Sequence, residues 1–284
     1  MKKIVIIPNV NKEGVVDIAK QIAKIIEANG AEAYVDKQYG PSYEKFAIIY
    51  DDFPNDCELI IVIGGDGSVI DASVLAVKHD VPILGVNLGN LGYLAEIEPE
   101  SLATLNKLFS GEYTIEEKML LKAVKKSDDK EETASTRLAV NDIIISHESY
   151  LGIAEFKLIT GDNESVKYRA DGIIFSTPAG STAYSLSAGG PVVDHGINSI
   201  LATPICPHSF FNRSIIFNEN SDLTIKNTGK STLKISLDGR LFDTLSTGEE
   251  CVVSKSEKAL KMLAFNVNNM FSTLFLKMKK IENI

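Results

Sequence analysis

The segment Gly64-Gly65-Asp66-Gly67-Ser68 combines three glycines with one carboxylate and one hydroxyl. Because glycine has no Cβ, the backbone N–H groups of such a segment can approach phosphate oxygens closely. The Asp66 carboxylate is unexpected there, since it repels a phosphate ligand unless it binds a metal ion or accepts a proton. We favour a general base for a hydroxyl nucleophile. A Mg²⁺ contact and simple capping of the following helix are the alternatives.

This glycine loop, residues 64–68, matches neither of the two common nucleotide-binding fingerprints. The Walker pattern Gly-x-x-x-x-Gly-Lys-Ser/Thr is absent, and the third glycine of the dinucleotide pattern Gly-x-Gly-x-x-Gly is missing. A tight strand-to-helix turn without a ligand is therefore the competing interpretation of the loop.

Three further segments could line a small-molecule pocket. A second glycine stretch, residues 85–94, includes Asn87 and Tyr93. Residues 169–191 concentrate glycines and small hydroxyl residues around Tyr184, a composition that can address a base and a sugar. The pair Asn141-Asp142 stands before an apolar strand. Taken singly, each of these segments is also compatible with an ordinary loop or turn.

The elements that must position these residues fall into two kinds. Up to about residue 110, short apolar runs alternate with helical periodicity, which predicts a parallel sheet with covering helices. Strands are predicted over 4–7, 33–35, 59–63 and 83–86, and helices from a cap at Asn11 to Gly30 and over 69–78. The glycine loop then lies between a buried strand and a helix, where open α/β sheets bind ligands.

Beyond about residue 115 the pattern becomes short alternating segments, which predicts an antiparallel sandwich or paired sheets. The clearest predicted hairpin joins 223–225 to 233–237 through a turn at 227–229. Helical spacing returns near the carboxyl terminus. We therefore predict an α/β domain over residues 1–115, a β-rich domain of sandwich type over 116–262, and a helix over 263–284 that packs back on the first domain.

The composition excludes several classes of function. The 284-residue chain has 29 basic and 38 acidic residues, a net charge of -9, which is unfavourable for a nucleic-acid partner. Its 3 cysteines and 4 histidines match no disulfide or metal-ligand spacing, so we predict no metal site from protein ligands alone. No apolar run reaches the roughly 18 residues of a membrane span. We expect a cytoplasmic protein with no membrane partner.

The glycine loop, the second glycine stretch, Asn141-Asp142 and the segment Thr177 to Ser185 together resemble the ordered motifs of the ATP-NAD kinases. The loop alone is less specific, because phosphofructokinases and the diacylglycerol and sphingosine kinases have similar ones. The resemblance implies a Rossmann-like α/β domain with a phosphofructokinase-type glycine loop, followed by a β-rich domain. It also implies transfer of the ATP γ-phosphoryl group to the adenosine ribose 2′-hydroxyl of NAD, with Mg²⁺ or another divalent metal accompanying ATP, in a homodimer or homotetramer.

The resemblance assigns roles to individual residues. Asp66 is expected to accept the hydroxyl proton and to lie with Gly67 beside the bound nucleotide, in a loop whose Gly64, Gly65, Gly67 and Ser68 seat the donor phosphates. The expected NAD-binding residues are Asn141, Asp142, Arg169, Asp171, Thr182, Ala183, Tyr184, Ser185, Leu186 and Ser187. Asn87, Tyr93, Asp238 and Arg240 are further candidates, although Asp238-Gly239 is also a common hairpin turn. The segment 8–11 retains little of the basic character that relatives have there.

Two other functions stay open on sequence grounds. A lipid or sugar-phosphate kinase shares the glycine loop, and a non-catalytic dinucleotide-binding regulator would keep the pocket without the transfer. The sequence leaves open whether polyphosphate replaces ATP, whether NADH is accepted beside NAD, and which oligomer forms.

Overall fold

A computed structural model describes residues 2–89, 92–126, 137–148, 152–161, 164–208, 211–265 and 275. The chain forms two compact units, one of residues 1–117 with 260–284 and one of residues 118–259. The boundaries predicted at 115 and 262 therefore differ from the observed ones by two and three residues. Among the helices of the described residues, none is both long enough and apolar enough to span a bilayer.

The first unit is built on a parallel sheet. Its strands are β1 (Lys3–Pro8), β2 (Glu32–Asp36), β3 (Ile48–Tyr50), β4 (Cys57–Gly64) and β5 (Ile83–Asn87), and its helices are α1 (Val15–Ala28), α2 (Asp66–His79) and α3 (Lys107–Ser110). The strand order is β3-β2-β1-β4-β5. Since the chain leaves β1 toward one edge and β4 toward the other, the loops after these two strands part at the carboxyl edge of the sheet, where such folds bind ligands.

Local sequence explains these elements. Residues 59–63 of β4 are all buried, as expected for a central parallel strand covered on both faces. Helix α1 buries one stripe, Val15, Ala19, Ile22, Ala23 and Ile26. The predicted cap at Asn11 is wrong: α1 begins after Gly14, whose φ is 76°, and the Asn11 N–H donates to Asn9 Oδ1 in the preceding turn. Helix α2 begins at Asp66, three residues earlier than predicted.

The second unit contains two antiparallel sheets, and a short helix, α4 (Tyr184–Ser187). The strands are β6 (Thr114–Lys125), β7 (Arg137–Ala139), β8 (Asp142–His147), β9 (Ala154–Ile159), β10 (Ser165–Ala170), β11 (Gly172–Ser176), β12 (Ser199–Ile205), β13 (Ile215–Asn218), β14 (Leu223–Asn227), β15 (Leu233–Leu237), β16 (Arg240–Leu245) and β17 (Glu250–Ala264). One sheet has the order β13-β12-β11-β8-β15-β16. In the other, β10-β9-β14-β17 are neighbours, and β6 pairs with β17 and β7.

The core of the second unit joins side chains of both sheets, which confirms the predicted sandwich type. Ile143 and Phe175 from the first sheet are fully buried in one cluster with Phe156 and Ile225 from the second. Phe156 stacks on Tyr168 with ring centroids 5.5 Å apart. The alternation of buried and less buried residues along β14 and β15 follows from this one-sided packing.

The hairpin predicted between 223–225 and 233–237 is wrong, because β14 and β15 lie in different sheets. Asn227 is fully buried, and its Nδ2 donates to the carbonyl oxygens of Ser231 and Leu245, so the connection crosses between sheets. The hairpin partner of β15 is β16. Asp238 and Gly239 form its turn, both with positive φ, 47° and 78°.

The helix predicted over residues 263–284 lies mainly outside the described residues. Its first two positions are wrong, since β17 continues to Ala264 and Met262 pairs with Ile83 of β5. Residues 83 and 262 both belong to the first unit.

Candidate functional site

The glycine loop connects β4 to α2 at the carboxyl edge of the parallel sheet. Gly64 is required by packing, because a Cβ there would lie 2.3 Å from Ser68 Oγ. Asn9, which follows β1, donates from Nδ2 to that same hydroxyl at 2.8 Å. Around Gly65 and Gly67, by contrast, no described atom other than those of the chain neighbours and the backbone of α2 lies within 4 Å of the position of a Cβ. The bare backbone of these two residues and the amino terminus of α2 are therefore open to an anionic ligand.

Asp66 links the glycine loop to the second glycine stretch. Its carboxylate accepts hydrogen bonds from the backbone N–H groups of Tyr93 at 2.8 Å and Leu94 at 3.0 Å. A Cβ at Gly92 would lie only 2.0 Å from Asp66 Oδ1, so glycine is the residue that admits this contact. The residue that caps α2 is Gly65, which has no side chain to form a capping hydrogen bond, and Asp66 is the first residue of the helix. The predicted candidate Tyr93 lies beside Asp66, and burial, with the charge of Asp66, raises the pKa of the Tyr93 hydroxyl.

Asn87, another predicted candidate, ends β5 next to Gly64 in register. Its side chain is 2% exposed and donates from Nδ2 to Glu98 Oε1 at 3.1 Å. Its Oδ1 is buried without a hydrogen-bond partner among the described residues. The Asn87 side chain is therefore a buried link between the end of β5 and Glu98.

Lys12 is a cation that the sequence interpretation missed. It follows β1, and its Nζ lies 3.1 Å from the position of a Cβ at Gly89, in the loop after β5. Both loops leave the carboxyl edge of the sheet, as does the glycine loop after β4. The sequence does carry the signal, since Lys12 comes directly after the segment 8–11, which has no basic residue.

In the second unit, Asn141-Asp142 contacts the segment that begins at Thr177. The Thr177 N–H donates to the Asn141 carbonyl at 2.9 Å, and its Oγ1 donates to the Val140 carbonyl at 2.7 Å. A Cβ at Gly180 would lie 2.0 Å from the Asn141 carbonyl oxygen. The structure thus brings together two of the motifs that carry the resemblance.

Asp238 joins the same cluster from the turn between β15 and β16. Its carboxylate accepts hydrogen bonds from the backbone N–H groups of Val140 at 2.8 Å, Asn141 at 2.8 Å and Asp142 at 3.0 Å. Asp142 is 4% exposed, and burial raises the pKa of its carboxyl to about 7, with the charge of Asp238 adding to the effect. Burial also raises the pKa of Asp238, against the opposing influence of these N–H groups and of Arg240.

The predicted run from Thr182 to Ser187 lies on the surface in part. Tyr184 and Leu186 are 45% and 41% exposed, Ser187 is exposed, and Thr182 and Ala183 are half-buried. Ser185 is fully buried, and its hydroxyl shares a 3.0 Å hydrogen bond with Thr203 Oγ1. The exposed Tyr184 ring offers a face on which a base can stack, whereas the Ser185 side chain holds the turn from inside.

Arg169 and Asp171 lie away from Asn141-Asp142 in this chain. In the antiparallel pair of β8 and β11, Asp142 is opposite Ser176 at one end and Ser146 is opposite Gly172 at the other. Asp171 therefore lies five strand positions away, roughly 17 Å along the strands. The Arg169 Nε is 3.2 Å from Glu155 Oε1.

The described residues contain no group of three or more His, Cys, Asp or Glu side chains that could hold a metal ion. The first unit offers a carboxylate beside a bare loop backbone, with the Lys12 ammonium near Gly89 in the loop after β5. The second unit offers a buried acid and an amide beside an exposed aromatic ring.

Two family models match this chain. The ATP-NAD kinase N-terminal domain matches residues 4–113, and the ATP-NAD kinase C-terminal domain matches residues 140–265. The chain belongs to the ATP-NAD kinase family. Membership of the ATP-NAD kinase family makes it a phosphotransferase enzyme and confirms the resemblance seen in the four motifs.

Full-length members of the ATP-NAD kinase family are similar to this chain. The NAD kinase of Natranaerobius thermophilus is 36% identical, with 96% of each chain covered. The NAD kinase of Geobacter sulfurreducens is 34% identical, with 98% of this chain and 99% of the relative covered.

Solved structures of the ATP-NAD kinase family share the fold. A yeast NADH kinase complexed with NADH has a TM-score of 0.80 at 23% identity, covering 97% of this chain and 86% of that one. An NAD kinase from Archaeoglobus fulgidus in complex with ATP has a TM-score of 0.71 at 22% identity, covering 98% and 99%. These similarities confirm the predicted fold class, an α/β domain followed by a β-rich one.

Proposed function

We propose that the chain is an NAD kinase that transfers the γ-phosphoryl group of ATP to the 2′-hydroxyl of the adenosine ribose of NAD, giving NADP. Family membership and relatives that match over nearly the whole length support this reaction. The observation that carries it is Asp66, a carboxylate at the head of α2 in a loop whose Gly65 and Gly67 are open to a ligand. A lipid or sugar-phosphate kinase has no specific observation in its favour.

The first unit would handle the donor and the proton. Phosphoryl transfer depends mainly on positioning and on neutralising phosphate charge. The N–H groups of Gly65 and Gly67 and the ammonium of Lys12 would bind the donor phosphates, with Ser68 and Asn9 keeping the loop in shape. Asp66 would accept the 2′-hydroxyl proton as the new P–O bond forms and the bond between the β,γ-bridging oxygen and phosphorus breaks. ADP leaves with the electron pair of that bond.

The divalent ion, Mg²⁺ in our proposal, would enter as part of the ATP substrate and reduce its negative charge. A requirement for Mg²⁺ or another divalent metal therefore belongs to the donor.

The second unit would bind NAD. Asn141 and Asp142 would form hydrogen bonds to the nucleotide, and Tyr184, Leu186 and Ser187 would cover the base and ribose from an exposed turn. Arg169, Asp171, Thr182, Ala183 and Ser185 stay predictions as NAD-binding residues. Arg240 stays a further candidate.

We also propose the location, the assembly, the partners and the phosphoryl donor of the enzyme. We expect a cytoplasmic enzyme that assembles as a homodimer or homotetramer and has neither a nucleic-acid nor a membrane partner. ATP is the expected donor, and polyphosphate is the alternative to be compared with it.

The test is an assay of purified protein with ATP, Mg²⁺ and NAD, in which an NADP-specific dehydrogenase detects the product. We expect wild type to form NADP and Asp66→Asn to lose about 10²- to 10⁴-fold in kcat, the range of general base catalysis. Its dissociation constant for NAD should stay within about threefold, because the substitution keeps the size of the side chain. Asp17→Asn, an exposed carboxylate of α1, is the matched control.

Near-normal turnover of Asp66→Asn would remove the base assignment. NAD binding without NADP formation by folded wild type would favour the regulator. Transfer to diacylglycerol or fructose 6-phosphate instead of NAD would favour the other kinases.

A further inference from the structure

The turn between β15 and β16 has a residue that its own geometry does not require. Asp238 and Gly239 both have positive φ, 47° and 78°, as in the two-residue turns typical of hairpins. Glycine and asparagine adopt the first position of such a turn at least as readily as aspartate. The turn therefore gives no reason for a carboxylate at residue 238.

The carboxylate also has an unfavourable neighbour. Asp142 is nearly fully buried, and the negative charge of Asp238 acts on it. An amide at residue 238 would avoid this repulsion between two acids. The carboxylate at residue 238 therefore carries an electrostatic cost.

The contacts of Asp238 indicate what the carboxylate does. Asp238 Oδ2 accepts from Val140 N–H, and Oδ1 accepts from both Asn141 N–H and Asp142 N–H. The Asp238 N–H in turn donates to the Asp142 carbonyl at 3.0 Å. Three consecutive N–H groups need acceptors only, which a carboxylate supplies with both oxygens, whereas an amide would direct an NH₂ group at one of them.

The opposite side of the same backbone is held as well. Thr177 binds the carbonyls of Val140 and Asn141, and Gly180 leaves no room for movement toward it. With Asp238 on the N–H side, the segment is fixed from two directions. Its side chains then have defined directions before any ligand arrives.

We propose that Asp238 is a positioning residue for NAD: its carboxylate fixes the backbone of residues 140–142 so that the Asn141 and Asp142 side chains are directed at the dinucleotide. The proposal rests on the proposed function for its ligand. Asp238 acts through Asn141 and Asp142 and has no part in the transfer of the phosphoryl group.

The test compares two variants of the same turn. Asp238→Gly keeps the positive φ at residue 238 but removes the carboxylate. Gly239→Asn changes the other residue of the turn and leaves the Asp238 carboxylate in place. For Asp238→Gly we expect the KM and the dissociation constant for NAD to rise about tenfold or more, the scale of losing charge-assisted hydrogen bonds. Its kcat should change by less than about threefold, and its KM for ATP should stay unchanged, because the chemical step is untouched. Asp238→Asn should be intermediate, and Gly239→Asn should resemble wild type.

An NAD dissociation constant of Asp238→Gly within about twofold of wild type would overturn the proposal. Equal losses in kcat and in both KM values would overturn it too, since they indicate a general structural defect. If Asp238→Gly does not fold, Asp238→Asn decides in the same titration, and wild-type affinity in that variant would count against the proposal. If wild type binds NAD without forming NADP, the proposed function fails, while the NAD titrations still decide the role of Asp238.

Discussion

The carboxylate of Asp66 meets two requirements at once. It accepts hydrogen bonds from Tyr93 and Leu94, and it is proposed to accept a proton from the substrate. A carboxylate has about four lone-pair positions, so both requirements can be met together. The direction of the Asp66 carboxylate then depends on Gly92, because this residue lies against the carboxylate and has no Cβ.

Gly92→Ala tests this dependence without changing Asp66. The added Cβ would overlap Asp66 Oδ1 and turn the carboxylate away. We expect kcat to fall about tenfold or more, because a small misplacement of a catalytic group is costly. Steady-state kinetics would measure it, with Gly161→Ala as the control, since no described atom lies within 4 Å of a Cβ there. An unchanged kcat in Gly92→Ala would separate the loop from catalysis.

Asp142 should make NAD binding depend on pH. Its carboxyl has a pKa of about 7 and faces the Asp238 carboxylate, which Arg240 partly offsets. Below pH 7 Asp142 is mainly protonated and loses its charge-assisted hydrogen bond, so wild-type affinity should fall between pH 8 and pH 6. In Asp142→Asn the affinity at pH 8 should be weaker by about 1.5–3 kcal/mol and flat with pH.

The raised pKa of Asp142 also makes the stability of the fold depend on pH. The raised pKa favours folding at low pH, and this contribution is lost as the pH rises from the ordinary carboxyl range through 7. Asp142→Asn should therefore melt at a higher temperature than wild type at pH 8, with a smaller difference at pH 5. Asp222→Asn is the control for both measurements. If titration calorimetry showed that the NAD affinity of wild type does not change with pH, that result would contradict the pKa argument.

At the scale of elements, the parallel sheet gathers residues that are remote in sequence. The loops after β1, β4 and β5 leave one edge, which brings Asn9 to Ser68 and Lys12 to Gly89. Lys12 is thus a local positive charge at this edge of an acidic protein, and an overall negative charge does not prevent one cleft from binding an anion.

Lys12→Gln tests the part of that edge that follows β1. Removing the ammonium should raise the KM for ATP by about three- to tenfold and leave the KM for NAD unchanged, because only the donor phosphates are affected. Lys20→Gln, an exposed lysine of α1, is the matched control. The effect should shrink at high salt. Equal KM values for ATP in Lys12→Gln and wild type would remove Lys12 from the donor site.

The sequence predicted those elements whose signal is local. The apolar run of β4 and the stripe of α1 are visible within a few residues. The sequence did not predict the hydrogen bond between Asp66 and Tyr93, 27 residues apart, or the one between Asp238 and Val140, 98 residues apart. Only the folded sheets bring these residues together. The wrong hairpin has the same cause, since buried Asn227 is satisfied by Leu245, 18 residues away.

At the scale of the whole molecule, the three cysteines are free thiols in different surroundings. Cys206 is exposed, burial raises the pKa of Cys57, and burial raises the pKa of Cys251 to about 12. Since the thiolate is the reactive form, an aromatic disulfide reagent should react quickly with Cys206 alone in the native enzyme. Absorbance would count one fast thiol, and Cys206→Ser would remove it. A second fast thiol, or a melting temperature that falls with reductant, would contradict this picture.

The pairing of Met262 with Ile83 places a constraint on biosynthesis. Strand β5 is complete early, yet its partner near the end of β17 is made roughly 175 residues later, or about 9 to 35 seconds at typical elongation rates. Glu96 and Ile97 donate to the Gly85 carbonyl and Asn87 donates to the Ile97 carbonyl on that edge, so the pairing still missing during the interval is the one between Ile83 and Met262. Ribosomes that stop before residue 260 would therefore release a fragment in which Ile83 of β5 lacks its partner from β17.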